Sequence, residues 1–383
     1  MIQHLVNFVR DFFQTDDFIP LHAPVFGGKE RQNVVETIES TFVSSVGNFV
    51  NRFESEVASY SGAENAVATV NGTAALHTAL LLAGVQRGDL VITQPLTFVA
   101  TCNAISYCGA EPVFVDVDTG TMGLSAAALR QWLEDNAKIC EDGLCRLNAD
   151  KRIIRACVPM HTFGHPADIE GLLAVSDQWG LAMVEDASES LGSFYGGRHT
   201  GTFGVLGVLS FNGNKIITTG GGGMILTSSD LGERAKHITT TAKKPHPYEY
   251  VHDEVAFNYR LPNLNAALGC AQLAQIENFV TAKRALAEQY KLLFAGSSME
   301  FVCEPENCRS NYWLSAVICE DRGQRDELLL QTNKVGVMTR PIWGLMHHSK
   351  MFHQCLKGDL SNAEWLEARV VSLPSSAVST KND

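Results

Sequence analysis

Several features are missing from this 383-residue chain, and each absence excludes a class of function. Its ten cysteines, at 102, 108, 140, 145, 157, 270, 303, 308, 319 and 355, contain no CxxC pair. Cys140 and Cys145 have no second pair with nearby histidines, so no zinc pattern forms and reduced thiols are expected. No run approaches the ~20 apolar residues of a membrane span. There is no basic excess: 30 Lys and Arg face 42 Asp and Glu, a formal net charge of −12. That argues against a nucleic-acid partner, whose phosphates need a basic patch. Met1 to Phe13, with Arg10 and Asp11, lacks a signal-peptide apolar core. Internal repeats and low-complexity tracts are absent. A cytoplasmic protein without a membrane partner is expected.

What is present is a normal globular balance, 45% hydrophobic and 19% charged, and a rhythm. β-rich runs at 66–70, 90–93, 112–115, 153–160, 181–185 and 206–211 alternate with helical patterns at 73–83, 97–108 and 168–179. Such alternation predicts an α/β fold with a largely parallel sheet covered on both faces. Ligands of such sheets gather at the carboxyl ends of the strands. The polar stretch Asp135–Lys151 breaks the rhythm and reads as an insertion loop. After about residue 250 the pattern turns mostly helical over 261–293, then mixed. A large domain over 1–250, including an N-terminal arm, and a smaller one over 251–383 are expected.

Three strand ends carry suggestive residues. Asn71-Gly72-Thr73-Ala74-Ala75 opens a helix, whose free N–H groups can bind phosphate; an ordinary cap by Asn71 or Thr73 explains the same residues. Glu185-Asp186 ends a buried strand, which is costly unless a cation pairs with it. A protonated pyridine nitrogen is such a cation, and Asp186 as a helix cap is the competing explanation. Ser210 precedes Lys215 and the tract Gly220–Gly223. Lone lysines are mostly exposed, but an amine held partly out of water is a competent nucleophile. Together these motifs describe one ligand with a phosphate, a ring nitrogen and an aldehyde, which is pyridoxal phosphate. His161 and His165 sit four apart, but Gly164 and Pro166 favour a structural turn over a metal site.

With these motifs the chain resembles the DegT-type sugar aminotransferases, fold-type-I pyridoxal-phosphate enzymes with an aspartate-aminotransferase-like large domain and a smaller C-terminal α+β domain. The resemblance runs from Ile19-Pro20-Leu21 through Gly47–Glu54, Gly72–His77, Thr97–Thr101, Val113–Asp118, Glu185-Asp186-Ala187 and Ser210–Lys215. It continues through Asn258-Tyr259-Arg260 and Thr339-Arg340 to Ser372-Leu373-Pro374. It implies that Lys215 joins the cofactor's aldehyde and then shuttles the proton, and that Asp186 keeps the ring nitrogen protonated. It implies that Phe98 stacks on the ring and that Gly72, Thr73, Ala74 and Ser210 hold the phosphate. Asn258 would reach the phosphate of a neighbouring subunit, which implies a homodimer with shared active sites.

The resemblance further implies L-glutamate as donor. The acceptor would be C4 of a nucleotide-linked 4-keto-6-deoxy sugar. The segments Asp135–Lys151, Cys157–Pro166 and Phe211–Gly220 resemble the branch acting on UDP-linked 4-keto-6-deoxy-N-acetylhexosamine, on routes to bacillosamine or legionaminic acid. Two positions depart from the family. Glu189 stands where relatives have Gln or His near the cofactor or substrate, so a raised pKa or a tilt toward the sugar is expected. Gly221 replaces a common Glu and is expected to loosen the loop after Lys215. His347 is a candidate substrate contact. Relatives with His at the lysine position dehydrate rather than transaminate; Lys215 favours transamination over that reading and over a non-catalytic regulator.

Overall fold

The computed structural model describes residues 1–377. Its main sheet has seven strands in the spatial order 65–69, 223–227, 206–210, 182–186, 154–158, 90–93 and 111–114. All run parallel except 223–227, which pairs antiparallel with both neighbours. The strands are near-continuous apolar runs, as a sheet covered on both faces requires. Successive side chains enter different cores. Val67, Val184, Val208 and Ile225 pack in one cluster with Leu76, Leu80 and Ile105, from the helices Gly72–Leu82 and Val99–Tyr107. On the other face, Met183 and Cys157 meet Leu129 and Leu172, from the helices Ala126–Asn136 and Ile169–Trp179. Ala66, Ala68, Leu209 and Met224 meet Phe49, Phe53, Ala266 and Leu273.

A second sheet, antiparallel, joins 300–301, 315–318, 370–373 and 340–341. Its core takes in the N-terminal helix Ile2–Phe13 and the long helix Ile276–Phe294: Leu5, Val6 and Val9 pack with Tyr290, Val317 and Leu328. The N-terminal helix therefore lies with the smaller core rather than with the large one. Conversely, helix Asn263–Leu273 packs into the large core beside Phe53 and Phe211. The stretch expected as an insertion loop is a short hairpin, Ala137–Ile139 paired with Cys145–Leu147. Only its second strand alternates, with Cys145 and Leu147 buried around Arg146, while Ile139 on the first is exposed. All ten cysteines are unpaired. No helix among the described residues is long and apolar enough to cross a membrane.

Candidate active site

The carboxyl ends of the central strands open into a cavity of about 380 Å³, lined among others by Gly72, Thr73, Phe98, Asp186, Glu189, Ser210 and Lys215. Residue by residue, the local folding explains how these side chains arrive. The strand Asn65–Thr69 leads to Asn71, whose side chain accepts the Ala74 N–H at 2.8 Å and starts the helix. First-turn amides have no partner inside a helix, so those of Gly72 and Thr73 are available to the cavity. A Cβ on Gly72 would lie 3.1 Å from the Ser210 Cβ and 3.6 Å from the Ser188 hydroxyl. Glycine leaves that space open beside two hydroxyls at the positive end of a helix, which is an anion seat. Ala74 does not join it. Its amide is spent on Asn71, and its side chain is buried.

Asp186 ends its strand facing the cavity. One oxygen accepts the Thr101 hydroxyl at 2.7 Å and the other the Ser188 amide at 3.2 Å. Glu185 points elsewhere. It accepts the amides of Gly201 (2.8 Å), Phe203 (2.6 Å) and Gly204 (2.8 Å), and pairs with His161 Nε2 at 3.0 Å. Because His161 Nδ1 accepts the Ala167 amide at 3.1 Å, Nε2 carries the proton and donates to Glu185. Burial pushes the Glu185 carboxyl up, but these donors prevail and hold it below its ordinary range. The cation expected for both acids is thus unnecessary for Glu185, which neutral donors satisfy.

His161 and His165 flank the 3₁₀ turn Thr162–Gly164. His165 sits edge-on to Tyr312 with neither ring nitrogen hydrogen-bonded, and burial lowers it to about 4. The turn carries Phe163 at φ 57°, a left-handed conformation that is strained for a bulky residue. Its amide donates to Glu189 Oε2 at 2.9 Å. The other oxygen, Oε1, lies 3.3 Å from the Lys215 amine. That amine also stands 4.1 Å from the centroid of the Trp313 ring. Burial raises Glu189 to about 7, against the opposing pull of Lys215. Of the two alternatives expected for Glu189, burial favours the raised pKa, and the carboxyl is turned to the lysine.

The glycine loop beyond Lys215 is tied rather than loose. Asn265 Nδ2 donates to the Thr219 carbonyl at 2.7 Å, and the Thr219 hydroxyl to that of Gly221 at 2.8 Å. Besides Ala74, two further expected residues stay outside the cavity lining. Asn258 is exposed and accepts from Arg260 Nε at 2.9 Å. His347 is buried beside Phe114 and His348, with both nitrogens lacking a hydrogen-bond partner and its pKa lowered to about 4 by burial. Within one chain, His347 is packed against Phe114 and His348 and does not line the cavity. Sequence reasoning missed Thr101, Ser188 and Trp313, and Trp343, which also lines the cavity. Ser188 carries a local signal, two residues past Asp186; the tryptophans carry none, since they come from a distant segment.

These residues fit pyridoxal phosphate: an anion seat that a Cβ would fill, a buried carboxylate on hydroxyl and amide donors, and an amine at the same cavity. Comparison with known proteins points the same way. Residues 25–383 match the model of the DegT/DnrJ/EryC1/StrS aminotransferase family. A GDP-perosamine synthase of Escherichia coli O157:H7 is 35% identical over 359 residues, covering 94% of this chain and 93% of that protein. A GDP-perosamine synthase of Caulobacter vibrioides is 34% identical over 370 residues, covering 95% of each. Among solved structures, the aminotransferase TlmJ from Streptoalloteichus hindustanus superposes with a TM-score of 0.83 at 27% identity, covering 93% of both chains.

Proposed function

The chain belongs to the DegT/DnrJ/EryC1/StrS aminotransferase family, and from that premise we propose that it moves an amino group from L-glutamate to C4 of a nucleotide-linked 4-keto-6-deoxy sugar. The observation that carries this reading is the convergence of Lys215, Asp186 and the Gly72–Ser210 anion seat on one cavity. The cofactor is pyridoxal phosphate, which when bound supplies an electron sink for the carbanion of the amino donor. Gly72, Thr73, Ser188 and Ser210 hold its phosphate. Asp186, fixed by Thr101 and Ser188, keeps the ring nitrogen protonated. Phe98, half exposed at the cavity rim, covers the ring. The Lys215 amine carries the proton from donor to cofactor and, in the return half, from cofactor to sugar. Two half-reactions at one site give ping-pong kinetics.

The sugar is a UDP-linked 4-keto-6-deoxy-N-acetylhexosamine on the reading of segments 135–151, 157–166 and 211–220. A GDP-linked acceptor is the second reading, favoured by the names of the two GDP-perosamine synthases among its relatives. The enzyme works in the cytoplasm as a homodimer with shared active sites. An absorbance titration tests the whole reading. Glutamate is expected to bleach the cofactor's visible band, and a nucleotide ketosugar to restore it. Running UDP- and GDP-linked 4-keto-6-deoxy sugars side by side separates the nucleotides. A protein that takes up no pyridoxal phosphate would end the proposal.

A further inference from the structure

The Lys215 amine is not merely present at the cavity; it is held between two walls. One is the carboxyl of Glu189, at 3.3 Å, and the other is the face of Trp313, at 4.1 Å from the ring centroid. Each wall is itself fixed. Glu189 is buried, with its second oxygen on the amide of the strained Phe163 turn. Trp313 is buried too, and its indole N–H donates to the carbonyl of Asn214, the residue before Lys215, at 2.7 Å.

One fully buried side chain links the two walls. Asn311 Nδ2 donates to the carbonyls of Glu189 and Leu191, both at 2.9 Å, while its Oδ1 accepts the Trp313 amide at 2.8 Å. The fit around it is close. A Cβ on Gly164, in the same turn as Phe163, would fall 1.8 Å from Asn311 Oδ1. Buried amides that satisfy several partners at once specify a unique arrangement. Three segments separated in sequence, at 163–164, 189 and 311–313, thus converge on a single amine.

We propose that Glu189 and Trp313 form a dock for the uncombined amine of Lys215, and that Asn311 is the positioning residue that sets the two walls at a fixed spacing. The proposal rests on Lys215 being the cofactor's lysine, and it deepens that reading. A transaminase lysine must leave the cofactor while donor or acceptor is bound, yet stay within reach for the proton transfer. A flexible four-carbon side chain loses rotamer freedom only if something holds its end. An aromatic face attracts an ammonium, and the Glu189 carboxyl at 3.3 Å gives the amine a hydrogen-bond partner.

The test uses the cofactor-free protein, so that its outcome does not depend on catalysis. Trace acetylation with acetic anhydride is followed by peptide mass spectrometry, and Lys215 labelling is scored against the exposed Lys138. Removing a wall releases the amine, so Glu189→Gln and Trp313→Leu are expected to raise relative labelling roughly two- to fivefold. Trp313→Phe, which keeps an aromatic face, is expected to stay close to the wild type. Wild-type labelling in the isosteric Glu189→Gln variant overturns the dock, even where Trp313→Leu fails to fold. So does equal labelling of the Phe and Leu variants. Pyridoxal phosphate uptake is measured in parallel. Labelling as expected without cofactor uptake sinks the functional reading and leaves the dock standing.

Discussion

Glu189 is a buried carboxyl whose pKa burial raises to about 7 from an ordinary 4.5. Between those two values the folded cofactor-free protein holds more protons than the unfolded chain. Its stability therefore falls as pH rises from 4.5 toward 7, by up to about 1.4 kcal/mol per pH unit from this group. Glu189→Gln is expected to raise the melting temperature at pH 8 and to leave it nearly unchanged at pH 4.5. An equal gain at both pH values would contradict the buried, protonated carboxyl. Thr101 offers a second check. Removing its hydroxyl in Thr101→Val deprives Asp186 of a charged hydrogen bond worth ~1.5–3 kcal/mol, which corresponds to roughly ten- to hundredfold in kcat, with cofactor still bound. Unchanged kcat would show that Asp186 needs no such support. Lys215 and Asp186 were legible in the sequence because each follows an apolar run, in the order that a β-α-β chain gives to strand ends. Thr101 and Trp313 were not, because their roles come from side-chain directions and from chain segments that meet only on folding.

Elements show the same division. The six expected strands and three expected helices of the large domain were readable from apolar periodicity to within a residue or two, as with the predicted helix at 73–83 and the observed Gly72–Leu82, whereas strand Gly223–Thr227, behind its glycine tract, and helix Ala126–Asn136 were not. The hairpin within 135–151 was hidden because its short strands carry too few apolar residues for a period to stand out. The destination of the first helix was hidden for another reason: periodicity gives its apolar face but not the core that receives it. Helix Ile276–Phe294 carries the clearest prediction at this scale. Its Lys283 is fully buried, donates to the Ser375 carbonyl, and has its pKa lowered by burial to about 7 from 10.5. Between those values the unfolded chain binds the extra proton, so this group makes stability rise with pH from 7 to 10.5 and costs most at pH 7 and below. Lys283→Met is expected to flatten that rise in urea midpoints measured between pH 7 and 9.5. An unaltered slope would mean that Lys283 is charged in the fold.

For the whole molecule, the decisive issue is what one chain leaves incomplete. Asn258 is exposed and does not line its own cavity, while Phe98 and Tyr107 leave large apolar surfaces open, 51% and 59% exposed. In the proposed homodimer such surfaces are covered and Asn258 reaches its neighbour's phosphate seat. If so, mixing Lys215→Ala with Asn258→Ala subunits restores activity. Each hybrid rebuilds one intact site, so random reassembly gives roughly a quarter of the wild-type rate. No restoration after verified subunit exchange would place Asn258 outside the partner's site. The central claim, that Lys215 carries the cofactor in a transamination, has a more direct test. The purified enzyme is reduced with borohydride before and after incubation with L-glutamate, and its peptides are weighed. A pyridoxyl-phosphate mass is expected on the Lys215 peptide, and glutamate pretreatment is expected to abolish it. A mass on another lysine, or one that glutamate leaves untouched, would contradict the claim.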